Sequence, residues 1–230
     1  MRKYIVLVTA ALAGFSGAVL AQQDQLKNTV YFGGVYAQVN SKAGELVGGP
    51  PVPPPGALID VGDGKTVGFG YVYRFRPEWS IEAALGVPPT HKGYGEGFIA
   101  PFGQISSVKQ VAPTVFANYH FGSFVDGRVQ PFVGIGVNYT RFTDAKSTPS
   151  GDAASGGPTR LELSDSWGLA AHVGAIFPID KNWSVVGAIA YADVQSDLKA
   201  TTTTFAGEIV RTTHIEFRPV VYTLALGYSF

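Results

Sequence analysis

From Val67 to Phe75 the large apolar residues fall on every second position, as Val67, Phe69, Tyr71, Tyr73 and Phe75. Gly68, Gly70, Val72 and Arg74 stand between them. A period of two marks a strand with two unlike faces. The pattern recurs along the chain. Trp79, Ile81, Ala83, Leu85 and Val87 alternate with Ser80, Glu82, Ala84 and Gly86, and Val111 to Phe121 alternates in the same way. Further repeats are carried by Val133 to Thr140, Ser166 to Phe177, Trp183 to Ala192 and Val220 to Phe230. An eighth strand, around Thr29 to Val39, is less regular: Val30, Phe32 and Tyr36 share one face, but Tyr31 and Val35 lie on the other. Eight is an even number, as closure of a bacterial barrel requires.

The contrast between the faces sets the class. One face is large, aliphatic and aromatic. The other is Gly, Ala, Ser, Thr and Asn, with an occasional Arg, Glu or His. The small face cannot build an apolar core dense enough to fold in water, but it can line a narrow barrel. The large face then belongs against lipid. Phe75, Trp79, Phe121, Phe177, Trp183 and Phe230 sit near strand ends, where aromatics form interfacial girdles. The expected fold is all-β, an eight-stranded antiparallel transmembrane up-and-down barrel. The competing reading is a soluble two-sheet protein with the aromatics inside.

Connections alternate in length. Arg76-Pro77-Glu78, Ser123 to Arg128 and Pro178 to Asn182 are short and read as periplasmic turns. The connections Asn40 to Gly64, Pro89 to Ser107, Thr143 to Glu162 and Lys199 to Thr213 are long and polar, and read as extracellular loops. Gly48 to Gly56 is GGPPVPPPG, whose prolines favour an extended segment unable to join a ladder.

The N-terminus changes the picture further. Arg2 and Lys3 precede an apolar run from Ile5 to Leu20, and Val19-Leu20-Ala21 suits a cleavage site before Gln22. Residues 1–21 therefore read as a secretory signal peptide, and residues 22–230 as the barrel. The run is short for a membrane anchor. Setting aside Arg2 and Lys3 takes the 17 bases to 15, against 17 acids, a net charge of −2. That balance, without a basic cluster, gives no reason to expect nucleic acid as a partner. Cysteine is absent, which excludes disulfides, thiolate metal sites and cysteine nucleophiles.

Several stretches resemble the outer membrane protein W (OmpW) family. They include Leu161-Glu162-Leu163-Ser164-Asp165-Ser166-Trp167-Gly168, the run Gln130-Pro131-Phe132-Val133-Gly134-Ile135-Gly136-Val137-Asn138-Tyr139-Thr140, and the strand from Pro113-Thr114 to Tyr119-His120-Phe121-Gly122. Trp79-Ser80-Ile81-Glu82, Pro88-Pro89-Thr90-His91-Lys92 and Leu226-Gly227-Tyr228-Ser229-Phe230 are similar too. The resemblance runs from about Lys65 to Phe230, and the proline-rich stretch lies outside it. It implies a barrel that passes small hydrophobic molecules across the Gram-negative outer membrane, and it implies receptor roles for bacteriocins and links to stress responses. It also implies that Phe230 is the terminal signal read by the outer-membrane assembly machinery. Outer-membrane lipid and lipopolysaccharide are then the surroundings.

An eight-stranded barrel is nearly filled by its own side chains, so a wide aqueous pore is not expected. Capture between the long connections followed by sideways release into the bilayer suits a hydrophobic cargo. The rival function is a structural or surface-binding barrel acting through its loops. Arg74, Glu82, His120, His172 and Ala190 are the candidate lumen residues. Arg74 and Glu82 are expected to lie on adjacent strands and pair, with His120 and His172 as polar neighbours. Ala188, Ala190 and Ala192 either keep the lumen open or let a tight barrel close. The other histidines, His91 and His214, fall in or near loops. No nucleophile elbow, zinc motif or phosphate loop is present, so neither catalysis, nor a metal, nor a cofactor is expected.

Overall fold

In the computed structural model, residues 27–50, 53–125 and 127–230 are described, so the signal-peptide reading lies outside the described residues. Strand β1 (Asn28–Val39) rises from the periplasmic rim. The short strands β2 (Lys42–Ala43), β3 (Val47–Gly48) and β4 (Ala57–Val61) follow above it. The chain descends through β5 (Gly64–Arg76), turns at Pro77-Glu78, and climbs through β6 (Trp79–Gly86) into β7 (Thr90–Gly97). It returns through β8 (Gln104–Val111) and β9 (Thr114–His120). The longest strand, β10 (Gln130–Ser147), leads to a short helix α1 (Pro149–Ser155), then to β11 (Thr159–Leu163) and β12 (Ser166–Pro178). The last hairpins are β13 (Trp183–Ala192), β14 (Gln195–Thr204), β15 (Gly207–Glu216) and β16 (Pro219–Ser229).

Eight of these strands close a barrel in the order β1-β5-β6-β9-β10-β12-β13-β16. β16 pairs back onto β1, Thr29 opposite Ser229 and Val39 opposite Pro219. All neighbours are antiparallel. Closure gives every wall strand a paired neighbour on each side, as a sheet immersed in hydrocarbon needs. Alternation sorts the faces as the sequence pattern predicts. Ile135, Trp167 and Leu169 are about three-quarters exposed to the lipid side, while Thr29, Ser80, Asn118, Asn138 and Ser184 are buried inside. Phe75, Trp79, Phe121, Phe177, Trp183 and Phe230 are exposed around the periplasmic rim. Tyr36 stacks on Tyr222, and Tyr139 lies against Trp167 at the opposite end of the wall, forming the outer girdle.

The four long connections, read from sequence as long polar loops, carry regular structure of their own. They are built largely of strands, arranged as a two-sheet head above the membrane. The upper part of β10 pairs with β8, β8 with β7, and β7 with β4. Facing this sheet are β11, β14 and β15, with β2 and β3 along the edge of β15. Gly48, the first residue of the proline-rich stretch, joins that ladder opposite Arg211, contrary to expectation. Pro50 lies just beyond the end of the ladder, and a proline lacks the N–H a ladder needs.

Between the sheets the sign of the alternation reverses. Ile59, Ile105, Leu198 and Ile215 point inward and are buried, whereas Asp197, Lys199 and His214 point out to water. Strand β10 shows both regimes. Val133, Ile135 and Val137 face lipid below, and Phe142 turns inward above, with Arg141 on the outside. The solvent beyond the wall decides which face is greasy.

Candidate functional site

The lower lumen is filled by a connected polar and aromatic plug. Asn118 on β9 donates from Nδ2 to Glu82 Oε2 on β6 at 2.7 Å. Its Oδ1 lies 2.7 Å from His172 Nε2 on β12, so the imidazole donates there. The His172 ring stacks on Phe116, with centroids 3.9 Å apart and planes 8° apart. Phe132 meets the same ring edge-on at 5.2 Å. Ser80 Oγ and His120 Nε2 are 2.8 Å apart. Every one of these side chains is buried, and Tyr31 completes the layer from β1. Gly134 is required here, because a Cβ at that position would collide with Asn118 Oδ1 and His172 Nε2.

The sequence-derived lumen residues all point inward, with different roles. Glu82, His120 and His172 lie in the plug. Ala190 pairs with His172 across the β12–β13 ladder, and its small side chain leaves room for the imidazole. Arg74 stands opposite Ser80, one inward position below the Val72–Glu82 pair. Phe230 ends the chain at the periplasmic rim, its N–H bonded to Asn28 O at 2.9 Å. His214 is exposed on the head and lies 2.7 Å from Asp197. Asn118, Phe116 and Phe132 were missed as site residues. Their inward parity in the pattern is the signal that could have found them. The Ser80–His120 contact also had no motif to announce it, since it joins neighbouring strands 40 positions apart.

Above the plug, one stretch of wall is unzipped. The β6–β9 ladder ends at Ala84 opposite Thr114, and the β7–β8 ladder starts at Thr90 opposite Lys109. Between them Leu85 to Pro88 have no ladder partner in Val111 to Pro113, although each side stays bonded to its other neighbour. Pro88, Pro89 and Pro113 face this seam, and proline cannot donate to a ladder. Pro89 O still accepts the Gln110 N–H at 3.2 Å, closing the top of the opening.

The head encloses an apolar chamber. A cavity of about 90 Å³ lies among Ile59, Ile99, Ile105, Leu161, Leu198 and Pro53–Pro54. A smaller one, about 30 Å³, continues toward the barrel and is floored by Val61, Val108 and Phe217. Phe142 and Phe217 stack across the neck below it, centroids 5.1 Å apart. His91 and Gln110 are buried at the same level.

Burial pushes the His91 imidazole down to about 4, against a smaller upward pull from its Gly62 carbonyl contact. An unfolded imidazole titrates near 6.5. Between those values the unfolded segment binds the proton and the folded one does not. The contribution of His91 is therefore whole above pH 6.5 and is lost progressively as pH falls toward 4, by about 3 kcal/mol in all. Amide exchange in β7 and β8, corrected for intrinsic rates, is expected to accelerate over that window. The His91→Leu variant should show no such dependence.

The architecture is that of a small outer-membrane β-barrel with an extracellular head, a closed lower lumen and an interrupted wall. The sequence profile of the OmpW family matches residues 36–230, and the chain belongs to that family. The match starts within β1 and so takes in the first connection, further upstream than the resemblance read from motifs. Outer membrane protein W of Vibrio cholerae is 32% identical over 173 residues, covering 75% of this chain and 76% of the relative. The dibenzothiophene metabolism operon protein PahQ of Pseudomonas aeruginosa is 28% identical over 177 residues, 76% of each chain. Among solved structures, the outer membrane protein OprG of Pseudomonas aeruginosa superposes with a TM-score of 0.79 at 22% identity, covering 89% of this chain and 96% of OprG. The protein resides in the outer membrane of a Gram-negative cell.

Proposed function

We propose that the protein is a channel for small uncharged hydrophobic molecules. The solute enters the head chamber, passes the Phe142–Phe217 bar, and leaves sideways through the seam into the hydrocarbon of the bilayer. One observation carries this reading: the lumen is filled below the level at which the wall loses its ladder. A solute in the upper lumen meets the packed Phe116–His172 layer beneath it and an unpaired strand edge beside it. Moving past the plug would require breaking the Asn118 network, whereas separating Leu85–Pro88 from Val111–Pro113 breaks no ladder bonds. The apolar chamber suits such cargo. A relative named for a dibenzothiophene metabolism operon points the same way, since dibenzothiophene is an uncharged aromatic compound. No role in catalysis is proposed: the Ser80–His120 pair is buried in the plug, out of reach of water or lipid.

The test is reconstitution of the mature protein in vesicles with lipopolysaccharide in the outer leaflet. Uptake of a hydrophobic solute should be accelerated and that of a polar solute of similar size should not, with ion conductance near that of protein-free membrane. Equal slow uptake of both by a folded barrel would overturn the channel and favour surface binding by the head. The observation favouring that second reading is Phe205, which stands fully exposed at the tip of the β14–β15 hairpin.

A further inference from the structure

Two buried polar side chains at the neck between chamber and barrel each carry an atom without a partner. His91 and Gln110 are each 1% exposed, and two of their atoms, His91 Nε2 and Gln110 Oε1, have no partner among the described residues. Both side chains face inward on adjacent strands, His91 opposite Val108 and Gln110 opposite Phe142.

The polarity of each group follows from its neighbours. His91 Nδ1 lies 3.2 Å from Gly62 O. A carbonyl only accepts, so Nδ1 carries the proton and Nε2 presents a lone pair. For Gln110 the orientation is relayed from the seam. Pro113 O accepts from Asn138 Nδ2 at 3.3 Å, which turns Asn138 Oδ1 toward Thr140. Thr140 Oγ1 donates to that oxygen at 2.7 Å and so can only accept from Gln110, whose Nε2 lies 3.4 Å away. Gln110 Oε1 is left as the outward end of the relay. The neck thus offers two unpartnered hydrogen-bond acceptors, Gln110 Oε1 opposite Phe142 and His91 Nε2 opposite Val108.

We propose that this pair is a recognition site for a hydrogen-bond donor on the passing solute. The preferred cargo is an apolar body bearing a hydroxyl or uncharged amino hydrogen, as in an aromatic or aliphatic alcohol. A hydrocarbon of the same size leaves both acceptors unpaired, and an aldehyde or carboxylate brings only further acceptors. The inference rests on the channel reading and narrows its substrate class.

The experiment compares benzyl alcohol, benzaldehyde and toluene, three probes of one size with a donor, an acceptor and neither. Binding to the refolded protein in nanodiscs is measured by calorimetry and by the ¹⁵N chemical shift of the His91 imidazole. Benzyl alcohol is expected to bind about tenfold more tightly than either partner, the worth of one buried hydrogen bond. It alone should move the Nε2 resonance toward the hydrogen-bonded position. In a His91→Leu, Gln110→Met variant the preference should fall to near unity. The Nε2 shift needs no variant, so misfolding of that double variant leaves the wild-type result decisive. Equal binding of all three probes, or the same Nε2 shift with each, overturns donor recognition and leaves the channel standing. Binding of none overturns both.

Discussion

Bridging Leu85→Cys to Pro113→Cys with a short bis-maleimide is expected to reduce uptake of hydrophobic solutes to the rate of protein-free vesicles. The chain has no native cysteine, so the reagent acts only where thiols are introduced. Both positions lie at the seam, where β6 and β9 have lost their ladder above the Ala84–Thr114 pair. A cross-link there does not enter the lumen or touch the plug. It prevents the two edges from parting, which is the step that sideways release needs. A control bridge between Ile81→Cys and Ala117→Cys joins the same strands where they are already paired, and should leave uptake unchanged. Because each bridge is a surface change on a closed barrel, both variants are expected to refold. If the seam bridge and the control bridge give the same uptake, the solute leaves by another route.

The second large effect belongs to the plug. Asn118→Ala removes the donor to Glu82 and the acceptor from His172 in one step. The His172 Nε2–H then loses its acceptor, and Glu82 loses one of its interactions. With one group stranded at about 1–3 kcal/mol and one further hydrogen bond lost at about 1 kcal/mol, the barrel should lose about 2–4 kcal/mol against urea unfolding. Glu82→Gln keeps an acceptor oxygen for Asn118 and should cost about 1 kcal/mol or less. Ion conductance separates a sealing role from mere packing. Truncating the stacked pair, with Phe116→Ala and His172→Ala together, removes the layer that closes the lumen. Conductance in planar bilayers should rise above that of the wild type. Unfolding midpoints in urea, read from the heat-modifiable gel shift, check the first expectation. A doubly truncated barrel that folds and still passes no ions would show that Tyr31, Phe132 and the Ser80–His120 layer seal it unaided.

The barrel was legible in the sequence because period two carries its own test of environment. Val67 to Phe75 and Val133 to Tyr139 put large residues on one face and small or polar ones on the other, and only lipid outside and a narrow lumen inside satisfy both. Seven of the strands and the inward direction of Arg74, Glu82, His120, His172 and Ala190 followed from that parity, while the irregular strand Thr29 to Val39 needed the even count of a closed barrel and the turns were read from connection length. The head was not legible in the same way. Its strands, such as Gln195–Thr204, alternate Ser196, Leu198, Ala200 and Thr202 against polar neighbours, a weaker contrast that reads as polar loop. Their faces also invert relative to the barrel, so a rule tuned to lipid outside passes over them.

By itself, the sequence determined which side of each wall strand meets lipid and that the protein closes as a barrel, because the solvent on either face selects side-chain size one residue at a time. Only the tertiary structure decided which inward residues meet. Glu82, Asn118 and His172 join across strands far apart in the chain, and whether they form a plug depends on register, which a period of two leaves open. The same holds for the seam. Three prolines at 88, 89 and 113 are visible in the sequence, but that they border the same gap in the wall, close to Gln110, follows from how the hairpins pair in space.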